Sequence, residues 1–460
     1  MQQTDGPKSG HPTFSSRLGF ILVTAGAAVG LGNVWSFTYV AGKNGGGGFV
    51  LVYLLALLFI AAPVFMAEML LGRMGRASTP TSLKKLQVRA GSTLPWALPA
   101  WVGLVASILV LSFYSVISGQ VMAYGFEALK GGFAGWSKDQ IIALDADFKA
   151  NPLSPIFWSA LFIVLAGAVV SLGIRSGLER AGRWLMPILL LMLVGLVGFA
   201  ALKADFAAGF HFLFGFRDIT LSPHILLEAV GQAFFTLSVG VGGIMLLGSY
   251  MGNDVHLPKA SAWIIMMDLS VALLAGLAIF PLLFQAGMDP AVGPGLVFVT
   301  LPLVFADIPG GALLAFVFFL LLSFAAFTSA ISLLATPIAR FEEAGWSRRK
   351  SAIFLGGTAF FLSFATTLSF SIWSDFYPLA FMGLDGMTFF DLIREGVNNF
   401  VLPLGGLAFA LMVGWGLKRE EVQAALPMQN GALFIVWYGV LRYLVPVVIT
   451  ALFITAIAGE

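Results

Sequence analysis

The sequence predicts an all-α integral membrane protein with eleven transmembrane helices, arranged as two repeats of five and one final helix. Three observations predict it. Hydrophobic residues make up 59% of the 460 and charged residues only 10%, against roughly 25% charged in a typical soluble domain. The main solvent is therefore lipid. The apolar residues gather into eleven runs, each near the ~20 residues that a ~30 Å bilayer core demands. The first and sixth of these runs carry glycine-rich interruptions at corresponding places. The same composition excludes several classes of function. A formal charge of +2 leaves no footprint for a nucleic acid. With no cysteine there is neither disulfide nor thiolate ligation. His11, His211, His224 and His256 lack metal-ligand spacing. Neither a phosphate-binding G-x-x-x-x-G-K-[ST] loop nor a G-x-S-x-G elbow occurs, so the chain is not expected to be an enzyme.

In chain order the spans cover roughly residues 17–41, 46–72, 96–129, 154–173, 184–203, 225–250, 258–284, 310–341, 351–372, 384–416 and 431–457. Residues 1–16 are polar and form an N-terminal segment. They are not a signal peptide, because the apolar run that follows is too long and lacks a small-residue cleavage pattern. Spans 1–5 (17–203) form the first repeat, spans 6–10 (225–416) the second, and 431–457 the eleventh span. Short polar loops are expected between them. A cytoplasmic N-terminus places 17 Lys and Arg on the inner side. Only Lys43, Lys130, Lys138, Lys149, Lys203 and Arg217 fall outside. The positive-inside rule selects that orientation, in the cytoplasmic (inner) membrane, and eleven spans then put the C-terminus outside.

Span 1 contains Gly26-Ala-Ala-Val-Gly-Leu-Gly-Asn33 and span 6 contains Thr236-Leu-Ser-Val-Gly-Val-Gly-Gly243. Glycine tolerates non-helical backbone, and beside Asn, Thr and Ser such clusters point to unwinding within the membrane. For a single cluster, close helix packing is the better explanation. Two clusters at matching positions of two repeats are instead a pointer to a transporter binding site. Unwinding frees carbonyls for cations, while half-helix N-termini can hold a carboxylate. Span 8 carries Thr328, Ser329 and Ser332. Such hydroxyls commonly bond back to their own helix, but beside freed carbonyls they suit a hard cation. Asp268 in span 7 is an intramembrane carboxylate and hence a functional candidate. Glu68 in span 2 is a weaker one, readable as a tie between span 2 and a broken helix.

These features resemble the neurotransmitter:sodium symporter family along almost the whole chain. The specific pieces are GAAVGLGNVW (26–35), KNGGGGF (43–49), GQAFFTLSVGVGG (231–243), PGLVFVTLP (294–302) and FTSAISLL (327–334). The resemblance implies a 5+5 inverted-repeat fold of the bacterial leucine-transporter type, with discontinuous helices 1 and 6, and two Na+ sites. Site 1 would use Ala28, Asn33, Thr236 and Asp268, completed by the substrate carboxylate. Site 2 would use Gly26, Val29, Ala325, Thr328 and Ser329. The substrate carboxylate would meet the amides of Leu31 and Gly32 and the Tyr114 hydroxyl. Its ammonium would meet carbonyls near Ala27, Phe235 and Thr236, with Ser238 nearby. Val110, Phe235, Val241, Ser329 and Leu333 would line the side-chain pocket. Gly30 stands where monoamine members carry Asp, which favours a substrate that brings its own carboxylate. Asp268 stands where many animal members have Asn, so chloride is not expected to be required.

The chain also departs from the family pattern. Ser36 replaces the usual outer-gate Arg, and the place of its acidic partner falls near Arg394 or, by a local LDGM match, at Thr388, so on either alignment the usual outer salt bridge cannot form. Outer closure would then rest on Tyr114 over Phe235, or on a network around Arg394. At the inner face Phe14 replaces a Trp, and His11 or Lys8 replaces an Arg. Tyr250 and Glu343 match the remaining inner-gate residues. Gly177 and Pro187 in span 5 resemble a helix-breaking motif linked to a water path towards site 2. The expected function is sodium-coupled symport of neutral, mainly hydrophobic amino acids by alternating access. Another small zwitterion as substrate, a channel, and a non-transporting amino-acid receptor stay open. Sequence alone leaves the oligomeric state undetermined.

Overall fold

The computed structural model describes residues 12–215, 222–252, 254–290, 293–383, 386–426, 428 and 431–458. Lys8, His11 and Arg217 lie outside the described residues. Among those described, nine helices are long and apolar enough to cross a membrane: Gly47–Gly75, Ala97–Leu129, Leu153–Ser171, Ile174–Lys203, Leu257–Gln285, Gly311–Glu343, Arg348–Ser369, Phe389–Gly416 and Gly431–Thr455. A tenth is reached when Arg17–Ala28 and Gly32–Lys43, bent by 53° at the break between them, are joined. The segment predicted as span 6 consists of two shorter helices, Pro223–Thr236 and Gly243–Ser249.

Burial sorts the helices into an inner set and a lipid-facing set. The apolar stretch of 97–129 is 78% buried, that of 174–203 only 28%. The second displays Leu191 and Leu202 outwards, as a helix bathed in hydrocarbon can. Spans 3 and 8 share the largest helix–helix interface. Span 8 packs on the Arg17–Ala28 segment, and the two spans bring Tyr114 and Ser329 to the break that follows it.

The expectation of short polar loops needs correction. Five connections contain helices: Thr79–Arg89, Lys138–Ala150, Phe206–Phe214, Thr300–Asp307 and Arg419–Ala425. Each is too short to span a bilayer, so a reading tuned to 20-residue apolar runs passes over them. Several announce themselves locally. Ser137 and Gln140 form a reciprocal capping box, and Asp205 caps its helix through the Ala208 N–H.

Candidate functional site

The first helix ends because its next donors are diverted. Gly30 N–H donates to Asn33 Oδ1 at 3.0 Å instead of continuing the helical ladder, which releases the Gly26 carbonyl from that bond. Leu31 N–H donates to the Tyr114 hydroxyl at 3.2 Å, releasing the Ala27 carbonyl. Two hydroxyls take it up: Ser238 at 3.1 Å and Ser329 at 3.4 Å, and Ser329 also reaches the Val29 carbonyl at 3.2 Å. Residues from spans 3, 6 and 8 thus complete the backbone bonding of broken span 1.

Span 6 is held open from behind. Ser238 has φ of 53°, Gly240 of 102° and Gly242 of 85°. A side chain at Gly240 would collide with the Leu402 carbonyl, so both backbone and space demand glycine there. Gly240 N–H donates to Glu68 Oε2 at 2.9 Å and Met245 N–H to Glu68 Oε1 at 3.3 Å. Glu68 is fully buried, so its carboxylate takes up donors that the unwound segment would otherwise leave orphaned. The Thr79 hydroxyl donates to the Gly242 carbonyl at 2.9 Å.

Of the candidate site 1 residues, Asn33 and Asp268 are bonded to each other. Asn33 Nδ2 donates to Asp268 Oδ1 at 2.7 Å and to the Asp268 carbonyl at 3.2 Å. Asp268 Oδ2 is buried without a hydrogen-bond partner among the described residues. Thr236 Oγ1 lies 3.3 Å from the Tyr53 hydroxyl, a link that the sequence did not announce. A buried carboxylate with one unsatisfied oxygen is costly unless a cation or donor completes it. At the candidate site 2, Thr328 donates back to Phe324 and Ala325 at 3.1 Å each. That is the local bonding open to any hydroxyl in an apolar helix. Its Cβ nonetheless sits beside Gly26, where any added side chain would touch both Thr328 and Met186.

Between these groups lies a cavity of about 50 Å³. It gathers Gly30, Gly32, Val110, Tyr114, Phe235, Ser238, Val241, Ser329 and Leu333 from the expected substrate set, together with Ala28. Ala27, Leu31 and Thr236 stand outside its lining. Asn398 and Leu402 of span 10 complete it, and neither was expected. Above it opens a vestibule of about 510 Å³, lined among others by Trp35, Ser36, Lys43, Glu228, Asp391, Arg394 and Glu395. Tyr114, Phe235 and Asn398 line both spaces and form the partition between them.

Ser36 and Arg394 do not pair. The Ser36 hydroxyl donates to Gln232 Oε1 at 2.8 Å, and Gln232 Nε2 donates to the Gly32 carbonyl at 3.0 Å. Arg394 pairs with Glu395 at 2.5 Å, and Lys43 with Glu228 at 2.7 Å. At the opposite end of the bundle Phe14 packs edge-on against Phe20 and Tyr250, and its N–H donates to the Tyr250 carbonyl at 3.1 Å. Glu343 accepts from the Ser78 N–H at 2.6 Å and from the hydroxyls of Ser78 and Thr81. Glu179, absent from the expected set, accepts from Ser15 N–H and Oγ at 2.9 and 2.6 Å and pairs with Arg183. Its buried place at the end of the π-helical turn Ile174–Glu179 left no signal beyond its charge.

A family model described as the sodium:neurotransmitter symporter family matches residues 11–140 and 136–459. The sodium-dependent transporter YhdH of Bacillus subtilis is 36% identical over 450 residues, covering 96% of this chain and 97% of that protein. The sodium-dependent neutral amino acid transporter SLC6A17 of Homo sapiens is 25% identical over 316 residues, 60% of this chain and 42% of that protein. The crystal structure of MhsT in complex with L-phenylalanine superposes with a TM-score of 0.89 at 37% identity, covering 97% of this chain and all of that one.

Proposed function

Since this chain belongs to the sodium:neurotransmitter symporter family, whose members are multi-pass membrane transporters and not enzymes, we propose that it is a sodium-coupled symporter. Its substrates are neutral, mainly hydrophobic amino acids, carried into the cell by alternating access. The observation that carries the reading is the buried Asp268 carboxylate. One oxygen is held by Asn33 and the other is without a partner, at the break of span 1. That donor set fits a hard monovalent cation. The phenylalanine bound by MhsT and the neutral substrates in the name of SLC6A17 support the substrate class. Proteoliposomes with an inward sodium gradient should accumulate a labelled neutral amino acid and exchange it in countertransport. Binding without accumulation would make the chain a receptor, and unitary currents would make it a channel.

On this reading the architecture is eleven spans, with 17–203 and 225–416 as inverted repeats, discontinuous helices in spans 1 and 6, and 431–457 outside the repeat. The vestibule faces outwards, the N-terminus is cytoplasmic, and the membrane is the cell's inner one. Two Na+ ions bind, one at Ala28, Asn33, Thr236 and Asp268, the other at Gly26, Val29, Ala325, Thr328 and Ser329. Asp268 supplies negative charge beside the first ion, and a second anion there would be repelled in a low-dielectric site. Uptake in sodium gluconate should therefore equal uptake in sodium chloride; a several-fold loss in gluconate would refute chloride independence.

The substrate carboxylate meets the half-helix amides of Leu31 and Gly32 and the Tyr114 hydroxyl. Tyr114 already bonds the Leu31 N–H, so it both orders that amide and offers its own proton. Tyr114→Phe should weaken equilibrium binding about tenfold. A charge-assisted hydrogen bond contributes roughly 1.5–3 kcal/mol, and each 1.4 kcal/mol is about tenfold. An unchanged dissociation constant would move the carboxylate elsewhere.

A further inference from the structure

Asn398 is the one polar side chain of the cavity lining, among the described residues, that the protein itself leaves without a partner. Tyr114 is engaged by the Leu31 amide, Ser238 by the Ala27 carbonyl and Ser329 by the Val29 carbonyl. The Asn398 Oδ1 is buried with no hydrogen bond. Its neighbour Asn399 is already bonded to Glu395. Asn398 sits in a π-helical turn, Gly396–Val401, a distortion that occurs frequently at functional sites. One turn further on, Leu402 closes the cavity beside it. Tyr114 apart, the other larger side chains of the wall, Val110, Phe235, Val241 and Leu333, are all apolar. Asn398 is half-buried, and its unsatisfied amide oxygen beside such a wall is a cost without return in the empty protein.

We propose that the Asn398 amide is a specificity determinant that receives the polar end of the substrate side chain. The carrier would then favour neutral amino acids that combine an apolar body with a hydroxyl or N–H. This rests on the cavity being the amino-acid site, and it narrows that reading. The polar groups on span 1 are matched to the substrate's carboxylate and ammonium, which every amino acid carries. Asn398 belongs to span 10, apart from that set, and can distinguish side chains. A hydroxyl both donates and accepts, so it satisfies the amide in either orientation.

The test uses the full chain in detergent or liposomes with sodium present. Competition is measured for near-isosteric pairs: threonine against valine, tyrosine against phenylalanine, and tryptophan against 3-benzothienylalanine. In the unmodified protein the polar member of whichever pair fits should bind at least as well as its apolar counterpart. In Asn398→Leu the polar-to-apolar affinity ratio should fall about three- to tenfold, the value of one ordinary hydrogen bond. The loss should be larger for the polar member than for the apolar one, and sodium binding without substrate should hold. Asn398→Ser, which keeps a hydroxyl, should retain the preference and also serves if the leucine variant does not fold. A penalty on the polar member already in the unmodified protein would overturn the proposal. So would an equal loss for both members in Asn398→Leu, which would give Asn398 only a positioning role on span 10. Failure of every pair to bind in sodium would instead overturn the amino-acid reading itself.

Discussion

Asp268→Asn is expected to abolish sodium-dependent binding across the range where the unmodified protein responds. The substitution keeps the size of the side chain and the possibility of a bond to Asn33, but removes the charge. The carboxylate is wholly buried, with one oxygen bonded at 2.7 Å and the other unpaired. Breaking a buried charge pair costs roughly 3–5 kcal/mol, which translates to about a hundredfold or more in sodium affinity. Substrate affinity should fall with it if, as proposed, the bound amino acid's carboxylate shares the first ion. The measurement is thermal unfolding with increasing sodium, where a ligand of the folded state raises stability by mass action. The unmodified protein should gain stability with sodium and not with potassium or choline. The Asp268→Asn variant should unfold at the same temperature as the parent, or higher, in sodium-free buffer, and should show no sodium response. A parent-like sodium titration of the variant would remove Asp268 from the ion site.

Glu68→Ala is expected to disable the protein by a different route. Its carboxylate accepts from Gly240 and Met245, on either side of the break in span 6. Removing it leaves two buried N–H donors unpaired, at about 1–3 kcal/mol each, together with a cavity between spans 2 and 6. The unfolding temperature should drop, and amino-acid binding should weaken more than tenfold even where the protein stays folded, because the unwound segment loses its anchor. Glu68→Gln keeps one acceptor but turns a donor towards the second amide, so it should fall between Ala and the parent. Full retention of binding in Glu68→Ala would show that Leu402 and Thr79, packed on the same segment, hold it alone. The two substitutions separate cleanly: the first changes the response to sodium with the fold intact, the second changes the fold with sodium present or absent.

Lipid-facing length is a local property, so the helices long enough to cross a bilayer could be located from the order of residues alone. Their ends in the structure fall within a few residues of the apolar runs for most of them. The glycine clusters were equally legible, since backbone freedom belongs to the residue that has it. Much of the small cavity followed from motif resemblance, with Gly30, Tyr114, Phe235 and Ser329 among its lining. The short connecting helices were missed because they obey soluble-protein rules of capping and amphipathicity inside a chain dominated by hydrocarbon.

What the sequence by itself determined is therefore the solvent, the approximate spans and the residues free to unwind, each set by side-chain chemistry within one stretch of chain. What only the tertiary structure decided is which distant group satisfies each backbone atom that unwinding exposes. Glu68 bonds an amide 172 residues away, Asn33 bonds a carboxylate 235 residues away, and Ser329 bonds a carbonyl 300 residues away. Asn398 reaches the cavity only because span 10 packs against the broken part of span 6, where the Leu402 carbonyl faces Gly240. A buried polar group must find a partner, but that requirement names no partner. The packing of helices far apart in sequence supplies one for Glu68, Asn33 and Ser329, and leaves Asn398 and one oxygen of Asp268 open.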